Sequence, residues 1–457
     1  MKRVVIAGAG ISGLATAFYL RRLRPDLAVT VLDPRERLGG VITTQARDGY
    51  VIEGGPDSFI TLKPWGVQLC RELGIEDRLF STDPANRKVY ILTRGRLEPL
   101  PPGVMLTAPT KVLPFLRSRL FTWPGKIRMG MDLFLPRGGH EGEDESLGAF
   151  VRRRLGQEAV DKIAEPILGG IFMAEADRLS LRSTFPRFIE MEQKHRSLIL
   201  AMRRQKRPAS ETGGATSPFR TLPGGMAEMV EALRRAMPEV EFRTGVRVER
   251  IEAPRRVVTT QGVMEPDAVV LAVPPPDCAA ILRGILPEVS AKISRIVTLT
   301  TATVSLGYRN PKAKVALDAT GFVIARGENR RILACTWSSK KFQGRAPEGH
   351  LLVRIFFGGG KNEAIVEEDD ATLERIAREE LADLMGLTGE VVISAVYRWP
   401  LANPIYEVGH EARVREIEGR VDPALNLHLT GSGFRGIGIP DCAGDAARVA
   451  AEVAGRT

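Results

Sequence analysis

Gly8, Gly10 and Gly13 lie in the opening stretch KRVVIAGAGISGLATAFYLRRL, at G-x-G-x-x-G spacing between an apolar strand and a helix rich in small residues. That spacing suits a dinucleotide pyrophosphate. Gly8 makes the tight turn, Gly10 has no side chain to hold the phosphates off, and the helix start supplies unpaired amides at a positive dipole end. A second strand, AVTVLD, ends at Asp33, where such a fold presents a carboxylate to a ribose hydroxyl. Arg37-Leu38-Gly39-Gly40 follows, and a second glycine pair with an arginine beside the acid favours a flavin over a nicotinamide. The competing reading of residues 4–20 is an export signal, since Lys2 and Arg3 precede an uncharged run. Glycine at three fixed spacings adds nothing to such a segment. Arg21, Arg22 and Arg24 also occupy the place of a small-residue cleavage site.

A chain of 457 residues exceeds one ordinary core, so two or three domains are expected. No apolar run of membrane-spanning length is left once the first helix is explained. Cys70, Cys278, Cys335 and Cys442 are far apart and lack the spacings of metal knuckles or redox pairs, which fits a reduced, cytoplasmic compartment. The five histidines are scattered, so no metal is expected.

The net charge of +10 calls for an anionic partner or surface. Between Arg87 and Arg137 the bases are Arg87, Lys88, Arg94, Arg96, Lys111, Arg117, Arg119, Lys126, Arg128 and Arg137, against only Glu98 and Asp132. Among them lie PPGVMLTAPTKVLPFL and LFTWPGKIRMGMDLFL, apolar faces with a cationic fringe. Two readings are open: helices lying in a lipid interface, or a core helix pair with a solvated basic edge. Nucleic acid is not expected, because no recognition motif accompanies the charge.

The positioning elements follow from periodicity. Residues 143–165 read as an acidic helix start with helical spacing, and 206–218 as a polar loop. TLPGGMAEMVEALRRAM gives a glycine turn and amphipathic helix, and DAVVLAV a returning strand of the dinucleotide fold. VTLTTATVSLGY, GFVIA, RILACTW and HLLVRIFF suggest a separate antiparallel sheet, followed by a helix near 370–385 and the strand VVISAVYRW. GSGFRGIGIPDCAGDAARVAAEVAG then repeats the glycine-turn-helix pattern. Two such units at opposite ends are most simply one cofactor domain interrupted by other modules, the alternative being an unrelated packing helix.

Beyond the cofactor motif, several stretches resemble the flavin-containing porphyrinogen oxidases of haem biosynthesis, the oxygen-dependent protoporphyrinogen and coproporphyrinogen oxidases. They are VIEGGPDSF, NRKVYILTRGRLEPLP, GGIFMAEADRLSLRSTFP, HRSLIL, LPGGMAEMVEAL, RWPLANPIYEVGH and GSGFRGIGIPDC, so the resemblance runs nearly end to end. It implies FAD and an α/β, overall α+β, architecture of three parts. These are a discontinuous Rossmann-like FAD domain (1–60, 215–290 and 425–457), an antiparallel-sheet substrate domain (61–86, 180–214 and 291–424) and a helical, membrane-associating domain (87–179). It further implies a cytoplasmic protein peripheral on the inner face of the cell membrane, and admits a homodimer and contact with a ferrochelatase.

The implied reaction removes six hydrogens from a porphyrinogen, with molecular oxygen accepting the electrons and leaving as hydrogen peroxide. The flavin carries the difficult step, so no catalytic side chain is nominated. Protoporphyrinogen IX and coproporphyrinogen III are both admitted, and the alternative is another FAD amine oxidase or a carotenoid desaturase. By motif, the resemblance implies flavin contacts from Gly8, Gly10, Gly13, Asp33, Arg37, Gly39, Gly40, Gly55, the Val248 backbone, Trp399, and the turn of Gly436, Ile437, Gly438 and Ile439. For the substrate it implies Arg87 and Lys63 at the carboxylates, Gly170 facing the macrocycle, Phe322 and Ala325 sandwiching one pyrrole, and Phe356 on the opposite wall. Arg87 leans toward protoporphyrinogen and Lys63 toward coproporphyrinogen. NPIY after Trp399, FMAEAD after Gly170 and Ala443-Gly444-Asp445 depart from the family pattern.

Overall fold

Five short strands build a parallel sheet in the order Glu241–Thr244, Ala28–Asp33, Arg3–Ala7, Ala268–Leu271, Leu427–Leu429. The three central strands read as near-continuous apolar segments because both faces are covered, whereas the edge strand Glu241–Thr244 is polar and partly exposed. Val4 and Ile6 face a core closed by the helices Ile11–Leu23, Ala227–Arg235 and Ile439–Arg456, whereas Val5 and Ala7 face the helices Pro275–Leu282 and Pro287–Ile293. The computed structural model describes residues 2–105, 108–138, 143–204, 217–253 and 255–457. Residues 206–216 of the expected polar loop lie outside these.

The doubly wound, Rossmann-like arrangement is therefore drawn from distant parts of the chain. Its first and last helices pack together in one core, and Lys2 Nζ donates to Thr457 O at 2.5 Å. DAVVLAV supplies the strand Ala268–Leu271, paired with Arg3–Ala7 in register Val5 to Val269.

The second sheet has seven strands in the order Thr388–Pro404, Thr298–Lys312, His350–Gly358, Ala334–Thr336, Ala319–Ile324, Lys88–Thr93, Arg96–Pro99. It is antiparallel apart from the pairing of Ala319–Ile324 with Lys88–Thr93. The helix Asp370–Met385, capped by the Asp369 carboxylate, covers one face. Strands 88–93 and 96–99 fall within residues 87–179, which the resemblance implies to be helical. They form a hairpin instead, because Arg94 and Gly95 adopt φ of 52° and 69° in a two-residue turn matched to strand twist.

The described residues between 112 and 204 form a third, helical core, to which the segment 181–202 contributes Leu181, Phe188, Met191, Leu198 and Met202. The expected long helix over 143–165 is broken. Ser146 caps Leu147–Leu155, Gly156 at φ 92° ends it, and a π-helix, Val160–Gly169, holds Pro166 in its interior. Arg154, 1% exposed, ties this core together. It donates to Asp132 Oδ1 (2.7 Å), Pro136 O (2.7 Å) and Arg196 O (2.7 Å), while Ser197 Oγ donates to Asp132 Oδ2 (2.6 Å). Among the described residues no helix is long and apolar enough to cross a membrane.

Candidate functional site

The three opening glycines are required for two different reasons. A Cβ on Gly8 would stand 2.4 Å from Ala272 O and one on Gly13 only 1.9 Å from Gly8 O, so the turn-helix packing itself excludes side chains there. A Cβ on Gly10 would meet nothing within 4 Å. The space before Gly10 is open, and a dinucleotide pyrophosphate fits it at the start of the first helix. Asp33 is buried and accepts from Ala9 N (2.8 Å) and Arg35 N (2.9 Å), bonds that leave lone pairs of its carboxylate for a ribose hydroxyl. Gly39 N donates to Ala9 O (2.8 Å), and a Cβ on Gly40 would lie 3.0 Å from Gly10 Cα. The second glycine pair thus lies directly on the first.

Arg37 is committed to its own loop. Its guanidinium donates to Gly40 O (2.8 Å), Leu38 O and Ile42 O (both 3.3 Å), and stands 5.9 Å from the Trp399 ring centroid. Burial lowers its pKa. Val248 borders a cavity of about 260 Å³ beyond the carboxyl ends of Arg3–Ala7 and Ala28–Asp33, with Ala7, Gly8, Leu32, Val273 and Ile281 also in its wall. Ligands of open α/β sheets bind at such crevices.

A second group of contacts surrounds Gly54-Gly55. A Cβ on Gly55 would lie 1.9 Å from Val41 O, and Gly54 O accepts the Trp399 indole N–H at 2.8 Å. Tyr397 and Trp399 stack with centroids 6.4 Å apart and planes 5° from parallel. Arg354 Nη1 donates to Gly55 O (2.5 Å), and Lys341 Nζ reaches both oxygens of Asp57 (2.8 and 2.9 Å). Although burial opposes ionisation of Asp57, Lys341 and Arg354 hold its pKa far below the usual carboxylate range. The residue reading missed Tyr397, Asp57, Lys341 and Arg354. For Asp57 the available signal was a charged residue beside the glycine pair in GGPDSF.

The carboxyl-terminal turn closes this region. Gly436 has φ 128°, and a Cβ there would stand 2.3 Å from Asp441 Cβ. Cys442 shares a buried core with Ile11 and Leu14 of the first helix, and burial pushes its thiol up to about 12. Ile437 packs on the helical core, while Gly438 is the N-cap and Ile439 the first residue of the last helix. Lys63 is ion-paired with Asp441 at 2.5 Å, on the rim of this turn.

Of the remaining substrate-side residues, Phe322 and Phe356 lie on opposite faces of the seven-stranded sheet. Residues directly opposite in a ladder share a face. One row runs Phe322–Cys335–Ile355–Val304 and lies in the core beneath Asp370–Met385. The adjacent row, Ile91–Val323–Ala334–Phe356–Thr303–Tyr397, lies on the other face, where Val323, Ala334, Phe356 and Tyr397 are half-buried. Phe322, 1% exposed, is therefore a core residue pointing away from Phe356, and Val323 occupies the expected wall. Ala325 is buried in the same cluster as Ile91, with Val323 and Ile437 packed on it. Gly170 is exposed just after the π-helix, with no atom within 4 Å of a Cβ position. Arg87 is exposed at the foot of the edge hairpin.

The profile of the flavin-containing amine oxidoreductases matches residues 11–454. The chain belongs to this family. A dinucleotide fold whose family is flavin-containing takes FAD, and the open cradle at Gly10 fits that cofactor. This flavoprotein is 37% identical to a coproporphyrinogen III oxidase of Bacillus subtilis (strain 168) over 453 residues, 96% of this chain and 95% of that protein. It is 32% identical to a coproporphyrinogen III oxidase of Staphylococcus aureus (strain NCTC 8325 / PS 47), covering 96% of each. It superposes with a TM-score of 0.89 on a crystal structure from Exiguobacterium sp. 255-15, provisionally described as a protoporphyrinogen oxidase, at 32% identity over 100% of this chain and 99% of the other.

Proposed function

We propose that this flavoprotein oxidises a porphyrinogen to its porphyrin in haem biosynthesis, with coproporphyrinogen III as the preferred substrate and molecular oxygen as electron acceptor. The observation that carries the reading is the half-buried row Val323–Ala334–Phe356, which leads along the sheet face to Tyr397 beside the flavin loops. A broad apolar wall of this kind suits a flat macrocycle, since ring stacking offers a large contact area. Relatives named coproporphyrinogen III oxidase, at 37% and 32% identity, support the substrate class.

FAD supplies the redox chemistry, taking two electrons per round while three oxygen molecules leave as three hydrogen peroxides for six hydrogens removed. The chain's own contribution is to orient the macrocycle and exclude water. In this reading the parallel sheet and its helices hold FAD, the seven-stranded sheet takes the macrocycle, and Arg87 and Lys63 attract its carboxylates. Lys63 exchanges Asp441 for a substrate carboxylate. Four propionates on coproporphyrinogen, against two on protoporphyrinogen, favour the more anionic substrate for a chain of net charge +10.

The helical segment meets a membrane surface in this account. Val112, Leu113, Leu116, Trp123, Ile127, Met131 and Phe134 are all exposed, Phe134 by 80%, and the last four extend along the helix Trp123–Gly130 and the turn after it. Lys111, Arg117, Arg119 and Arg137 are exposed in the same segment and suit anionic headgroups. The test of the catalytic reading is aerobic turnover: porphyrin fluorescence should rise from colourless coproporphyrinogen III with stoichiometric oxygen uptake. Tight porphyrin binding without turnover would overturn it.

A further inference from the structure

The turn Gly431–Gly438 carries the last contacts expected over the flavin ring, and two side chains hold its interior. Tyr406 Oη donates to Ser432 O and accepts from Gly436 N, each at 2.6 Å. His410 Nε2 lies 2.9 Å from Phe434 O, and since a carbonyl can only accept, Nε2 carries the proton. The two rings stack face to face, with centroids 3.9 Å apart and planes 11° from parallel. Both residues are buried, and burial lowers the His410 pKa to about 4, so the imidazole is neutral.

The segment bearing this pair is fastened to the helical core. Ser180 N donates to Tyr406 O (2.7 Å), Gly409 N to Asp144 Oδ2 (2.8 Å), and Arg178 is ion-paired with Glu407 (2.8 Å). On its other side the turn abuts the first helix through Cys442, which shares a core with Ile11 and Leu14 and whose thiol lies 3.6 Å from Gly436 O. The turn thus stands between the dinucleotide cradle and the Tyr406–His410 pair. Its end sets where the 18-residue helix Ile439–Arg456 begins, and the first amides of that helix have no intrahelical acceptor.

We propose that Tyr406 and His410 are positioning residues for the flavin: as one stacked strap they fix the turn Gly436–Ile439, and through it the partial positive charge of the last helix, at the isoalloxazine edge. This rests on the FAD site and is independent of the substrate, so its failure would leave the porphyrinogen reading standing. Three backbone groups of the turn depend on two side chains, so a loss at either one releases the turn without touching the pyrophosphate cradle.

The experiment uses the purified holoenzyme. In Tyr406→Phe, the FAD dissociation constant should rise about tenfold, as expected for losing two hydrogen bonds that net about 1 kcal/mol each less relaxation. The visible circular dichroism of the bound flavin should change, and its midpoint potential should fall. Here a tenfold weaker preference for the reduced form corresponds to about 30 mV in a two-electron couple. His410→Leu should act alike, whereas His410→Gln, which keeps a donor for Phe434 O, should restore all three readouts. Should Tyr406→Phe fail to fold, His410→Leu against His410→Gln decides the matter. Parent-like potential and dichroism in the folded Tyr406→Phe or His410→Leu holoenzyme, even with a lowered melting temperature, would overturn the proposal and leave the pair a purely structural role.

Discussion

Gly10 and Gly13 look equivalent in the motif, yet only one is demanded by the protein's own packing. Gly13→Ala should lose both FAD and folding stability, because the new methyl meets a backbone oxygen. Gly10→Ala should keep the apoprotein's melting temperature and lose FAD, read as the ratio of flavin to protein absorbance. Equal loss of stability in both would mean that Gly10 does not face the pyrophosphate. The two phenylalanines also separate. Phe322→Ala should cost about 3–5 kcal/mol by chemical denaturation, the cost of emptying a packed core site. Phe356→Ala should change stability far less while raising KM for the porphyrinogen. The glycine turn and the strand ending at Asp33 were legible in the sequence because their spacing reports local backbone geometry. The assignment of Phe322 went astray because one residue of register decides which face of a sheet a side chain takes, and an apolar run such as GFVIA does not state it.

At the scale of elements, the basic segment 87–137 divides into parts with different work. Arg94 sits in the hairpin turn, and two cations of the expected fringe turn inward. Lys126 Nζ caps Leu116 O (2.7 Å) and Ser118 O (2.8 Å), and Arg128 binds the carbonyls of Arg152, Arg153 and Arg154 at the end of Leu147–Leu155. Charge counting alone does not distinguish a helix-capping cation from a solvated one. Replacing Trp123, Ile127 and Phe134 together by Ser should lower partitioning onto anionic vesicles about a hundredfold, from roughly 1 kcal/mol lost per side chain. Sedimentation with vesicles measures it, and unchanged partitioning would remove the membrane from the account. Asp132→Asn should destabilise the protein by about 3 kcal/mol, since it removes one of the two carboxylates, Asp132 and Glu192, that face the buried Arg154.

Over the whole molecule, the joining of the two ends into one cofactor fold was readable from the repeated glycine-turn-helix pattern. The broken helices of residues 143–169 were not, because Gly156 and Pro166 act through tertiary packing that periodicity does not report. His410 and His428 lie in different regions, and burial lowers the pKa of each to about 4 from 6.5. The unfolded chain therefore binds more protons between these values, and stability should be fully present above about pH 6.5 and decline as pH falls toward 4. Denaturation midpoints across that range test the sign. The most direct test of the central claim is anaerobic addition of coproporphyrinogen III to the purified FAD-bound protein, followed by flavin absorbance. The account predicts bleaching of the oxidised flavin, with three flavins reduced for each porphyrin completed when the enzyme is in excess, faster than with protoporphyrinogen IX. A flavin that stays oxidised with either porphyrinogen, yet is bleached by an amine or a polyene, would contradict it.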